Sequence, residues 1–212
     1  MSEKKLRIKL FLDTADLEVI KATCNDARVS GYTTNPTLMR AAGVREYETW
    51  ARGLLELTHK PVSFEVVADD IDEMRRQAKK LAGWGANVYV KIPVMTTKGE
   101  LTERLAEELA NEGAQVNLTA LMTIGLIMGA IDVMADGAAA IVSVFAGRIA
   151  DTGRDPVKTM AMAVDYAKAT SNVEVLWAST REVLNIYQAE DAGCSIITVP
   201  PEMLKKLELF DK

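Results

Sequence analysis

The sequence predicts a parallel (β/α)8 TIM barrel, an α/β fold, formed by a single domain over residues 1–212. Three observations carry that expectation. Short β-branched runs alternate with amphipathic helical stretches from end to end, with no linker or shift in composition. There are eight such runs, the number at which a parallel sheet of this kind closes on itself. Their C-terminal ends, the side of a barrel where chemistry is done, carry a dense set of polar residues. An open doubly wound sheet is the alternative. It would be favoured by a glycine-rich phosphate loop after the first strand, which the sequence lacks.

In order, the expected strands are Ile8–Leu12, Gly31–Thr33, Val62–Val66, Val88–Ile92, Gln115–Leu118, Ala140–Val144, Glu174–Ala178 and Ser195–Thr198. Between them the 3.6-residue periodicity predicts helices over Asp16–Asn25, Tyr47–Leu57, Ile71–Ala82, Gly99–Glu112, Met122–Ala135, Pro156–Ala169, Arg181–Ala192 and Pro201–Leu207. Asp155-Pro156 places an acid at an N-cap and a proline in the first turn. Gly83 and Gly113 follow helical runs, where a left-handed C-cap is expected.

Composition narrows the function. Of 212 residues, 49% are hydrophobic and 26% charged, which excludes a disordered chain. The net charge of −5 comes with acids and bases interspersed, so no basic stripe offers a footprint for nucleic acid. No apolar run is long enough for a membrane span, since Leu121 to Met134 is interrupted by Thr123, Gly125, Gly129 and Asp132. The start Met1-Ser2-Glu3-Lys4-Lys5 has no signal-peptide apolar region and leads directly toward a strand. A soluble cytoplasmic protein is expected. Cys24 and Cys194 are too few and too far apart for a disulfide framework or a zinc site, and His59 lies in a polar loop before a strand.

The fourth strand holds the most informative residue. Val88-Tyr-Val-Lys91-Ile-Pro93 reads as a strand buried on both faces, and a lysine is almost never fully buried without a partner. Burial disfavours an ammonium relative to the free amine, the form that attacks a carbonyl and makes a Schiff base. A strand-end lysine that snorkels to water is the plain alternative.

The other strand ends weigh on that choice. They present Asp13 and Asp16, Thr33 and Asn35, Glu65, Asn117 and Thr119, Ser143 with Phe145 and Arg148, and Ser179 with Arg181. Asp13, Asp16, Asn35 or Ser179 could each simply cap the following helix, and Thr33 is ordinary strand composition. Glu65 amid Phe64, Val66 and Val67 needs a partner. Carboxylates, amides, an amine and hydroxyls at successive strand ends point together to a catalytic mouth.

Gly31-Tyr-Thr-Thr-Asn35-Pro-Thr37, Val90-Lys91-Ile-Pro93, Val116-Asn117-Leu-Thr119 and Ser143-Val-Phe145-Ala-Gly147-Arg148 resemble the signature segments of the transaldolase family. Leu12-Asp13-Thr-Ala-Asp16 and Ala178-Ser179-Thr-Arg181 match as well, and the likeness runs in order along nearly the whole chain. It extends to the short subfamily that also contains fructose-6-phosphate aldolases. The resemblance implies a class I aldolase mechanism with no metal or other cofactor, acting on sugar phosphates in the non-oxidative pentose phosphate pathway. It implies Lys91 as the Schiff-base residue, Asp13 as the base at the C4 hydroxyl, and Glu65 with Thr119 as the pair that moves protons through a water. It further implies that Asn35, Asn117, Thr33 and Ser143 line the site around the three-carbon unit, beside Phe145 and Ser179. Arg148 and Arg181 would hold the phosphate.

Within the family, the aldolases resemble one another in having glutamine where this chain has Glu65 and tyrosine where it has Phe145. The chain therefore resembles the transferases, which pass a dihydroxyacetone unit from sedoheptulose 7-phosphate or fructose 6-phosphate to an aldose phosphate. Release of free dihydroxyacetone is the runner-up. A non-catalytic sugar-phosphate-binding barrel is the reading from another class, and it has no need of a buried amine. The resemblance also implies a homo-oligomer, a pentamer or decamer. It implies a C-terminal helix longer than the one stretch, Glu202–Leu209, that follows Pro200-Pro201.

Overall fold

A computed structural model describes residues 6–207. The expected lead-in over Met1–Lys5 lies outside the described residues, as do Glu208 and Leu209 of the last expected helix. The eight strands are β1 (Lys9–Asp13), β2 (Val29–Thr33), β3 (Val62–Glu65), β4 (Val88–Pro93), β5 (Val116–Leu121), β6 (Ala140–Val144), β7 (Val173–Trp177) and β8 (Ile196–Val199). All pairings are parallel, and β1 meets both β2 and β8, so the sheet closes into a barrel in sequence order. The open doubly wound alternative is thereby excluded.

Closure gives the period-2 pattern of each strand a clear meaning. One phase, including Leu12, Tyr32, Phe64, Val90, Ile92, Leu118, Val142, Trp177 and Val199, packs outward against the helices in one large core. The opposite phase fills the barrel interior. Phe11, Tyr89, Ile141, Leu176, Ala178 and Ile196 form a separate apolar plug there, with Phe145 against it. The plug needs Gly31, because a Cβ at that position would lie 2.5 Å from the Phe11 ring. Two residues further along several strands, the interior phase turns polar: Asp13 follows Phe11, Thr33 follows Gly31, Lys91 follows Tyr89, Ser143 follows Ile141 and Thr198 follows Ile196. The polar layer therefore sits on an apolar floor at the C-terminal mouth.

The helices that position this mouth are α1 (Leu17–Thr23), α2 (Pro36–Ala41), α3 (Tyr47–Leu57), α4 (Ile71–Ala82), α5 (Glu103–Asn111), α6 (Ile124–Met134), α7 (Ala146–Asp151), α8 (Pro156–Ala167), α9 (Leu184–Asp191) and α10 (Pro201–Leu207). Asp16, Asn35, Asp70 and Asp155 each cap a helix, accepting from the backbone N–H of Glu18, Leu38, Glu73 and Val157. Helices α2 and α7 were not expected from the sequence. Each is six residues long, too short to display a helical period. Helix α5 starts later than expected because residues 95–101 double back, with Met95 bridged to Leu101 and Gly99 at φ +83°. Helix α9 also starts late. The Asn185 carboxamide accepts from the N–H groups of Arg181 and Glu182 and holds them in a turn.

Gly113 adopts the left-handed conformation expected of it, at φ +93°. Gly83 does not. Its φ of −74° is right-handed, its N–H reaches Lys79 O, and the chain winds on through a further turn from Trp84 N to Leu81 O.

Candidate active site

The mouth encloses a cavity of about 510 Å³ lined by Asp13, Thr33, Asn35, Glu65, Lys91, Thr119, Ser143, Phe145, Arg148, Ser179 and Thr198, with Pro36 to Leu38 along one rim. Backbone register accounts for its two main pairings. Glu65 and Lys91 are direct neighbours across β3 and β4, so a carboxylate and an amine of the same phase must meet. Lys91 Nζ lies 2.9 Å from Glu65 Oε2 and donates to the carbonyl of Thr34 at 3.1 Å. Lys91 is only 7% exposed, so the snorkelling alternative does not hold. The residual exposure opens on the cavity, which is roomy enough for a small carbonyl compound.

Glu65 is itself supported from behind. The Tyr47 hydroxyl donates to the Glu65 carbonyl at 2.9 Å, and the Tyr47 ring packs among Trp50, Phe64 and Trp84. Burial pushes this phenol well above its usual range, so it stays a donor rather than a second anion beside Glu65.

The second pairing comes from the register of Asp13 with Thr33. The Thr33 hydroxyl donates to Asp13 Oδ1 at 2.8 Å. Desolvation raises the pKa of Asp13 above the ordinary carboxylate value, opposed by the charge of Lys91 and by the Thr33 hydrogen bond. A carboxylate held in this way is a stronger base than one in water. Asp13 makes no cap for α1; that task belongs to Asp16.

A bulge aims Thr119. The β5–β6 register slips between Leu118 and Leu121, and Ala120 takes φ +64°, a left-handed conformation that disfavours a side chain. Thr119 is part of the cavity lining, and its Oγ1 is buried with no hydrogen-bond partner among the described residues. An orphaned hydroxyl in a polar cavity marks a place for water or for a substrate oxygen.

At the far rim, Arg148 makes no ion pair among the described residues and lies 5.4 Å from the Phe145 ring centroid, within cation–π reach. Ser179 sits opposite at φ +60°. The two segments touch so closely that a Cβ on Gly147 would fall 1.7 Å from Ser179 O. Gly147→Ala should therefore push the β6 and β7 ends apart, at about 3 kcal/mol and roughly 10 °C of melting temperature. Gly125→Ala, with open space around its position, should change little. Paired melting curves check this: equal behaviour of the two variants would refute the close approach.

Two expected site residues are not brought into the cavity. Asn117 is fully buried beneath it, its amide donating to Ser63 Oγ at 2.9 Å and its oxygen accepting from Ser143 Oγ at 2.7 Å. It lies one pleat deeper than Thr119, and its place is to orient Ser143. Arg181 turns outward, where Asp151 takes its guanidinium through both carboxylate oxygens. Arg181 was expected here from its place at the end of the seventh strand and from the family resemblance, but α9 begins three residues later and the chain has already turned. Conversely, Thr198, Ser63 and the Thr34 carbonyl were missed. Thr198 continues the inward phase of Ile196, but a threonine in a strand of ordinary composition carries no signal of its own.

Comparison with known proteins places these features in context. A family model described as transaldolase/fructose-6-phosphate aldolase matches residues 10–212. A probable transaldolase of Dehalococcoides mccartyi is 34% identical over 203 residues, covering 94% of this chain and 90% of that protein. The probable transaldolase 2 of Listeria monocytogenes is 34% identical over 204 residues, covering 94% and 88%. Among solved structures, 3-hexulose-6-phosphate synthase from Salmonella typhimurium superposes with a TM-score of 0.63 at 17% identity, covering 92% of this chain and 89% of that one. At that identity the likeness speaks for the fold alone.

Proposed function

We propose that this chain, which belongs to the transaldolase/fructose-6-phosphate aldolase family, is a transferase that moves a dihydroxyacetone unit between sugar phosphates through a Schiff base on Lys91. The observation that carries the reading is the Lys91–Glu65 pair, 2.9 Å apart inside the cavity with the unpartnered Thr119 hydroxyl in the same lining. Lys91 gives its ammonium proton to Glu65, and the free amine attacks the C2 ketone of the donor, a second N–H proton passing to the oxygen to give the carbinolamine. Glu65 returns a proton to the carbinolamine hydroxyl, which leaves as water and gives the imine. A water held by Thr119 would bridge this transfer.

Asp13 then takes the proton of the C4 hydroxyl. The C3–C4 bond breaks, its electrons flow into the protonated imine, and an aldose phosphate departs. The enamine left on Lys91 attacks the incoming aldehyde, Asp13 returns its proton to the new hydroxyl, and water releases the product. Asn35 keeps its amide nitrogen free of any partner among the described residues while its oxygen caps α2, so a donor faces the bound hydroxyls. Arg148 supplies a charge for phosphate at the rim.

Transfer, rather than release, rests on Glu65 and Phe145. A phenylalanine ring against the apolar plug offers no proton to the enamine carbon, which then waits for an acceptor. Turnover of fructose 6-phosphate should be at least about tenfold faster with erythrose 4-phosphate than without it. Phe145→Tyr should raise acceptor-independent release of dihydroxyacetone, because the added hydroxyl can protonate the enamine. A coupled assay of both rates decides: if the unmodified protein releases dihydroxyacetone as fast without acceptor as with it, the protein is an aldolase.

A further inference from the structure

We infer that Thr198, on β8, is a positioning residue for Asp13: its hydroxyl donates to Thr33 and so commits the hydrogen of Thr33 to the Asp13 carboxylate. The inference rests on the proposed role of Asp13 as the base.

The direction of the chain follows from donor and acceptor capacity. An ionised carboxylate only accepts, so Thr33 spends its single hydrogen on Asp13 Oδ1 at 2.8 Å. Thr33 and Thr198 Oγ1 atoms are 2.5 Å apart, and with the hydrogen of Thr33 committed, Thr198 must be the donor between them. Three strands build the arrangement, with Thr33 on β2 and Thr198 on β8 flanking Asp13 on β1. All three residues line the cavity, and both threonines are at least 94% buried. Their geometry is fixed on either side. Gly31 and Phe11 interlock beneath them, and the Thr198 carbonyl is held by the Thr180 hydroxyl at 2.7 Å. A hydroxyl that receives a hydrogen bond becomes a better donor, and the gain is largest toward a charged acceptor in a dry site. Thr198 thus strengthens the bond that keeps Asp13 ionised although it never touches the carboxylate. The charged groups facing the pair are few: Lys91 from β4 acts on Asp13, Glu65 from β3 is engaged by Lys91, and Arg148 stands at the rim.

The test compares Thr198→Val, which keeps shape and removes the hydroxyl, with Thr198→Ser, which keeps the hydroxyl. Thr198→Val should lower kcat for cleavage roughly fivefold and move the acid limb of kcat/KM to higher pH by about half a unit, leaving KM within about twofold. Thr198→Ser should follow the wild type. Carbon NMR titration of the Asp13 carboxyl, identified by its loss in Asp13→Asn, should show the same upward shift without reference to activity. Thr198→Ala takes the place of the valine variant if that one does not fold. An unshifted Asp13 titration in the hydroxyl-free variant, or equal changes in the serine and valine variants, overturns the relay. A shifted titration in a protein whose wild type shows no transfer or cleavage upholds the relay and overturns the proposed reaction instead.

Discussion

Lys91→Met should abolish turnover of every ketose donor, by on the order of 10⁵-fold or more, about 7 kcal/mol of barrier, because the covalent route has no substitute nucleophile at that place. Among the described residues Lys91 is the one lysine in the cavity lining, and no other amine among them shares its contact with Glu65. The variant should still fold. Methionine matches lysine in length and suits the buried stem, and its loss of charge leaves Glu65 facing the cavity rather than sealed in apolar packing. A circular dichroism melt close to wild type together with complete loss of transfer is the expected result. Residual activity within about a hundredfold of wild type would mean that the reaction does not pass through this amine.

Asp13→Asn should separate the two halves of the chemistry. The amide keeps the shape and cannot accept the C4 proton, so cleavage should fall by about 10³-fold. Imine formation belongs to Lys91 and Glu65 and should persist. Borohydride should therefore trap the intact hexose phosphate on the variant, where the wild type traps the three-carbon fragment. The pH profile carries a second signature. Activity needs Asp13 ionised, and desolvation raises its pKa, so wild-type kcat/KM should fall with acid above the pH at which an exposed aspartate would titrate. Linkage gives the sign for stability. A raised folded-state value means that the folded protein holds this proton more tightly than the unfolded chain, so stability is lost as pH rises through that window. At neutral pH the Asp13→Asn variant should accordingly melt no lower than wild type. A lower melting temperature would show that the ionised carboxylate is a net structural support.

Much of this arrangement could be read from the sequence, for identifiable physical reasons. Strands were legible because both faces are buried, giving dense β-branched runs such as Val88–Ile92. Two helices, Tyr47–Leu57 and Ile71–Ala82, were legible to the residue, because their apolar stripe begins and ends sharply. Lys91 and Glu65 stood out because each is a charge inside an apolar run, and register then made them partners. Illegible features depended on information that sequence spacing does not hold. Asn117 and Thr119 are of the same phase and similar chemistry, and composition does not tell that Thr119 reaches the cavity lining while Asn117, one pleat deeper, stays beneath it. Arg181 is a strand-end arginine like Arg148, and the difference is that Asp151, thirty residues earlier in the chain, is in reach of it. Thr198 was hidden by ordinary composition, a threonine among Ile196, Ile197 and Val199, and its significance arises only when β8 closes onto β1.

Borohydride reduction in the presence of fructose 6-phosphate, followed by mass spectrometry of the digested protein, tests the central claim most directly. The account predicts one three-carbon adduct per chain, carried by the peptide that contains Lys91. An adduct on any other lysine, or none on protein that is demonstrably folded, would contradict it.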